Sequence, residues 1–171
     1  MPDRCPLWVA DSLKRNVSVK LTLATSFPAP ADQVWPLVKK SRTLLFVCKG
    51  LLGFGDSGRF PQQWREGNKE VTRLLFFGFI PAWKHTLTFE RIDDDQRVLA
   101  TEEGGGLVPV WNHVIQVAPD GSKACTYSDE VNIEAGVFTI VVWLYAHVFY
   151  RYRQRRWRTL LREIAHHSSS I

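Results

Sequence analysis

The chain has 171 residues, 45% hydrophobic and 23% charged, enough for one compact domain with a sizeable core. Its three cysteines, Cys5, Cys48 and Cys125, are odd in number and lack a CxxC pair, which argues against a disulfide framework or a zinc site. The net charge of +5 is not spread over a face, as a nucleic-acid partner would require: the first 150 residues balance, and six arginines follow them against Glu163 alone.

The opening MPDRCPLWVADSLKR carries acids and no apolar run of signal-peptide length, so a cytoplasmic protein with reduced thiols is expected. The domain is read as 1–171, with its core at about 17–165 and loosely held ends at 1–16 and 166–171. VSVKLTLATSF alternates with Val17, Val19, Leu21 and Leu23 on one side, the period of a half-buried strand. PAPADQVWPLVKKS predicts a short helix, with Asp32 in its first turn, Val34, Leu37 and Val38 at helical spacing, and Pro36 limiting its length. RTLLFVCKG predicts a second helix ending at Gly50, and LLGFGDSG, glycine-rich but without a P-loop lysine, a loop.

From Gly58 to Glu134 six strands are expected: RFPQQW, KEVTRLLFF, AWKHTLTFERI, RVLATEE, PVWNHVIQV and KACTYSDEVNI. The short turn signals between them favour antiparallel pairing. The run Val137 to Ile164 closes the chain as one long helix. Its apolar part, residues 135–150, would span about 24 Å at ~1.5 Å per residue, short of the ~30 Å of a bilayer core, so no membrane span is expected. Being apolar all round, that half is expected to be buried, with Trp143, Tyr145 or His147 reaching a ligand. Arg151, Arg155, Arg158 and Arg162 follow as a solvated stripe opposite Tyr150, Trp157, Leu161 and Ile164. The fold class is α+β: a curved antiparallel sheet of about seven strands wrapped around a long C-terminal helix, with two short helices after strand one.

Alternation assigns the inward side chains. Trp83, His85, Leu87 and Phe89 share one face of their strand; Trp111, His113, Ile115 and Val117 share another; Cys125, Tyr127, Asp129, Val131 and Ile133 a third. In KEVTRLLFF the odd set, Val71, Arg73, Leu75 and Phe77, is taken as inward, which would let Arg73 pair with Asp129. Two histidines, an aspartate, a tyrosine and two tryptophans make an interior more polar and aromatic than packing requires, and that implies a cavity.

The element order, and the runs FFGFIPAWKHTLTFERID, EEGGGLVPVWNHVIQV, GSKACTYSDEV and FYRYRQRRWRTL, resemble the START-like helix-grip superfamily over about Val17 to Ile164. That group (SRPBCC) includes polyketide cyclase/dehydrase, lipid-transport and birch-pollen-allergen-type proteins. The resemblance implies a hydrophobic ligand cavity between sheet and helix but no particular reaction.

The expected function is binding of a hydrophobic or aromatic small molecule, polyketide- or lipid-like, by Arg73, Trp83, His85, Trp111, His113, Tyr127, Asp129, Trp143 and His147. The rival is a polyketide-type cyclase, dehydratase or aromatase with His85, His113 and Asp129 as acid/base groups and Arg73 or Tyr127 holding an enolate oxygen. Each of these side chains also has a plain reading as hydrogen-bonded or aromatic core. No motif calls for a cofactor or a metal, and no serine sits in a GxSxG elbow. The triple aspartate Asp93 to Asp95 reads as a solvated turn, and Glu102 or Glu103 as lying near the cavity entrance. A third reading uses the arginines on a membrane surface or on nucleic acid.

Overall fold

The computed structural model describes residues 18–168. The expectations for Cys5, Met1–Asn16, Val17 and the last three residues lie outside them. Strand β1 (Val19–Phe27) is followed by helices α1 (Ala31–Val38) and α2 (Ser41–Cys48), then strands β2 (Leu52–Phe54), β3 (Lys69–Phe76), β4 (Ile80–Asp93), β5 (Val98–Gly104), β6 (Val110–Asp120) and β7 (Ala124–Glu134). Helix α3 (Thr139–Ser168) ends the chain. All seven strands form one antiparallel sheet in the order β1-β7-β6-β5-β4-β3-β2. Every sequential hairpin pairs with its neighbour, and only β1 crosses to the far edge, beside β7.

Two local expectations are corrected. RFPQQW forms no strand: Pro61 has no N–H to give a ladder, and the segment keeps only an isolated bridge from Gln63 to Lys40. The seventh strand comes instead from the expected loop, where Leu52–Phe54 pairs with the end of β3 and a 3₁₀ turn follows at Ser57–Arg59. Helix α1 is short as Pro36 requires, ending two residues beyond it, and buries Ala31, Val34, Trp35 and Val38. The aspartate turn anchors this helix, since Trp35 Nε1 donates to Asp94 Oδ1 at 2.7 Å.

Direct cross-strand partners share a face, so the register fixes the interior. Ile115 lies opposite Asp129 and Val117 opposite Tyr127, all inside, as alternation predicts. In β3 the expectation fails. Thr72 is the partner of His85, so the inward set is Thr72, Leu74 and Phe76, while Val71 is 54% exposed and Arg73 lies outside, donating to the Ala82 carbonyl at 3.2 Å. Arg73 therefore does not meet Asp129.

Helix α3 leans on β1, β7 and α2 and stands away from β3–β5. Its buried stripe is Ala146, Tyr150, Arg153, Trp157 and Leu161, spaced as successive helical turns demand. Its first half is not buried all round, contrary to expectation. Val141, Leu144 and Val148 are 55 to 65% exposed, and the solvated arginines Arg151, Arg155, Arg158 and Arg162 continue the same line.

The β5–β6 turn is built against Trp83. Gly105 and Val108 exchange backbone hydrogen bonds of 2.8 and 3.0 Å, and Gly106, at φ +54°, lies so close that a Cβ there would overlap the Trp83 side chain.

Candidate functional site

Between α3 and the β3–β6 part of the sheet lies a cavity of about 210 Å³. Its mouth and walls are apolar: Phe76, Trp83, Val141, Val142, Tyr145 and Phe149. Phe76 meets Trp83 and Tyr145 edge-on, with centroids 5.7 and 6.2 Å apart, and Tyr145 stacks on Phe149 at 5.8 Å. The polar end holds His85, Glu103, His113 and Arg153. These four line the cavity because β4, β5 and β6 each turn one polar residue of their inner face towards it and α3 adds the fourth. A side space of about 40 Å³, close to the ~30 Å³ of one water, opens behind Glu103, His113 and Arg153.

Both inner carboxylates, half-buried Glu103 and fully buried Asp129, are held by donors. His85 Nε2 is 3.2 Å from Glu103 Oε2, and the Thr101 hydroxyl donates to Glu103 Oε1 at 2.6 Å. Burial works to raise the Glu103 pKa, but the bond and charge from His85 outweigh it and hold the carboxyl below its usual range. Asp129, fully buried, accepts from His113 Nε2 at 2.9 Å, Tyr127 OH at 3.0 Å and Gln154 Nε2 at 3.1 Å. Here too burial raises the pKa, and the His113 bond with the nearby Arg153 charge more than reverses it. Both groups are therefore carboxylates near neutrality. Burial pushes Cys48, on the cavity wall, up to about 11, so it is a thiol rather than a nucleophile at neutral pH. Burial likewise takes Tyr145 up to about 12.

Arg153 is unlike the other polar groups. It is 5% exposed and lies over the Tyr150 ring at 5.0 Å and the Phe149 ring at 5.8 Å, yet it makes no hydrogen bond or ion pair with any described residue. Three further residues that line the cavity each carry a buried atom without a protein partner: Trp83 Nε1, His85 Nδ1 and Tyr145 OH.

Of the residues expected at the site, Trp83, His85, Trp111 and His113 line the cavity. Tyr127 and Asp129 do not line the cavity; Asp129 bonds to His113, which does, and Tyr127 bonds to Asp129. Trp143 and His147 pack edge-on against each other at 4.3 Å beside β1, where Trp143 donates to the Lys20 carbonyl, and they do not line the cavity. Arg73 is outside. Tyr145, not Trp143 or His147, is the residue of the expected trio that lines the cavity.

Sequence reasoning overlooked Arg153 and placed Glu103 only at the entrance. The signals were present: Leu99, Thr101 and Glu103 alternate onto the inner face of β5, and Arg153 falls between Tyr150 and Trp157 in the buried stripe of α3. Among the described residues, no three His, Cys, Asp or Glu side chains converge as a metal site needs, and no helix is long and apolar enough to cross a membrane.

A curled antiparallel sheet gripping one long helix over an internal cavity defines the START-like helix-grip fold, and this chain has it. No family model and no curated protein matches the chain. Solved structures do. Norcoclaurine synthase from Thalictrum flavum, in complex with dopamine and hydroxybenzaldehyde, superposes with a TM-score of 0.63 at 17% identity over 95% of both chains. A START superfamily protein from Mycobacterium smegmatis gives 0.63 at 9% identity, over 85% of this chain and 98% of that one. A Chromobacterium violaceum protein gives 0.64 at 12% identity, over 82% and 95%. At these identities the likeness is one of fold.

Proposed function

We propose that the protein binds a compact hydrophobic or aromatic small molecule in the cavity beneath α3. The observation that carries this reading is the set of four buried polar atoms without protein partners, on Trp83, His85, Tyr145 and Arg153, around one aromatic-walled space. A buried donor or acceptor left unmade costs roughly 1–3 kcal/mol; His147 and Trp157 carry three more such atoms off the main cavity, so the support comes from the gathering of four around one space. The volume of about 210 Å³ corresponds to roughly seven waters at ~30 Å³ each, which favours a one- or two-ring molecule or a short chain over a sterol or a two-chain lipid. The neighbour that holds dopamine and hydroxybenzaldehyde, both single-ring aromatics, supports that size.

Native mass spectrometry of the protein purified from its own host tests the reading. A retained small molecule, lost on Trp83→Ala, is the expected result. A clean apo mass, together with no fluorescence response to any one- or two-ring aromatic, would defeat it.

The paired imidazoles favour a second reading, a proton-transfer enzyme of the cyclase or dehydratase kind. His85 and His113 each bear on a carboxylate, and each faces the cavity. In that case His85→Gln abolishes turnover and leaves ligand affinity within a few-fold of wild type. Binding without turnover across the ligands that the protein accepts leaves the first reading standing.

A further inference from the structure

The guanidinium of Arg153 carries five N–H donors in a planar fork; its Nε is buried without a partner, and no hydrogen bond or ion pair among the described residues involves the group. It is not a surface cation: the residue is 5% exposed, pressed over Tyr150 and Phe149, and it lines both the main cavity and its side space. Both neighbouring carboxylates are already engaged. Asp129 takes three donors from His113, Tyr127 and Gln154, and Glu103 takes two, from His85 and Thr101. A buried arginine left in this state calls for a planar oxyanion, which its fork can grip with two parallel bonds.

We infer that the ligand is a small organic anion, its carboxylate seated on Arg153 and its compact apolar body lying against Phe76, Trp83 and Phe149. This rests on the cavity being a binding site and adds the charge and orientation of what it takes. The polar head goes inward, onto Arg153 and on the His113 side of it, and the apolar end faces Val141 and Val142. The head lies beside Tyr150 and the side space, where room for about one water allows the second carboxylate lone pairs to be solvated. The Arg153 guanidinium itself repels a cationic head placed on this spot, so an ammonium is disfavoured there.

The test uses three probes of one shape on the full chain: naphthalene-2-carboxylate, its neutral carboxamide, and 2-naphthylmethylamine, with affinity read from tryptophan fluorescence. The carboxylate is expected to bind at least about tenfold more tightly than the amide, as a charge-assisted pair requires, and the amine most weakly. In Arg153→Met the carboxylate-to-amide ratio falls to about one while amide binding persists; in Arg153→Lys, which keeps the charge and loses the fork, it falls part of the way. Equal binding of acid and amide to the wild type, or a preference for the amine, overturns the anion subsite and leaves the cavity reading intact. An acid preference that survives Arg153→Met places the anion elsewhere and overturns it too. If none of the three binds, and octanoate and octanamide do not bind either, the cavity reading falls and takes this inference with it.

Discussion

The two halves of α3 invert the usual rule of burial in opposite senses. Its first half exposes Val141, Leu144 and Val148, whereas its second half buries Arg153 and Gln154. Gln154 is explained by the protein alone, since its amide bridges the Leu23 carbonyl at 3.2 Å and Asp129. Arg153, one residue earlier on the same turn, is not. The contrast teaches that burial of polarity means two different things here: a satisfied network that holds the helix to β1 and β7, and an unsatisfied group that faces a space.

Breaking the satisfied network should give the largest effect. Asp129→Ala removes the acceptor of three buried donors and should cost about 3–5 kcal/mol in denaturant unfolding, as loss of one partner of a buried charged cluster does. Gln154→Ala should follow at about 1–3 kcal/mol, with an unchanged denaturant slope. Acid probes the same network. Both Glu103 and Asp129 have pKa values lowered by folding, so their contribution is complete above the ordinary carboxylate range near ~4 and is lost as pH falls through their lowered values. Thermal stability should therefore fall steeply in that window, and Asp129→Asn should flatten the fall.

Arg153→Met sharpens the comparison from the other side. Relief of a buried, unpaired guanidinium opposes the lost attraction to Asp129, so stability should stay within about 1 kcal/mol of wild type, far from the Asp129→Ala result. A cost near that of Asp129→Ala would make Arg153 part of the structural network after all. The smallest effect is expected at Leu144→Ser, within about 0.5 kcal/mol by thermal unfolding, because this side chain is already in water.

What the sequence reveals follows the strength of its periodicities. In β4, β6 and β7 strict alternation places Trp83, His85, Trp111, His113, Tyr127 and Asp129 on the inner face. In the run KEVTRLLFF both faces are apolar, Val71, Leu75 and Phe77 against Leu74 and Phe76, so only the pairing of Thr72 with His85 decides, and that is a tertiary fact. The opening half of α3 is apolar on every side, and hydropathy cannot say which side meets protein. Arg153 escaped for a different reason: a lone charge inside a run of arginines reads as one more solvated residue unless its place in the apolar stripe is counted.

The turn at Gly105 and Gly106 has a consequence for how this interior can change. With Gly106 pressed on Trp83, the outer loop serves as a backstop for an inner wall. One methyl group added at residue 106 would displace the indole and so reshape the chamber from outside, without altering any residue that a ligand touches. A surface position is thereby wired to the width of the space within.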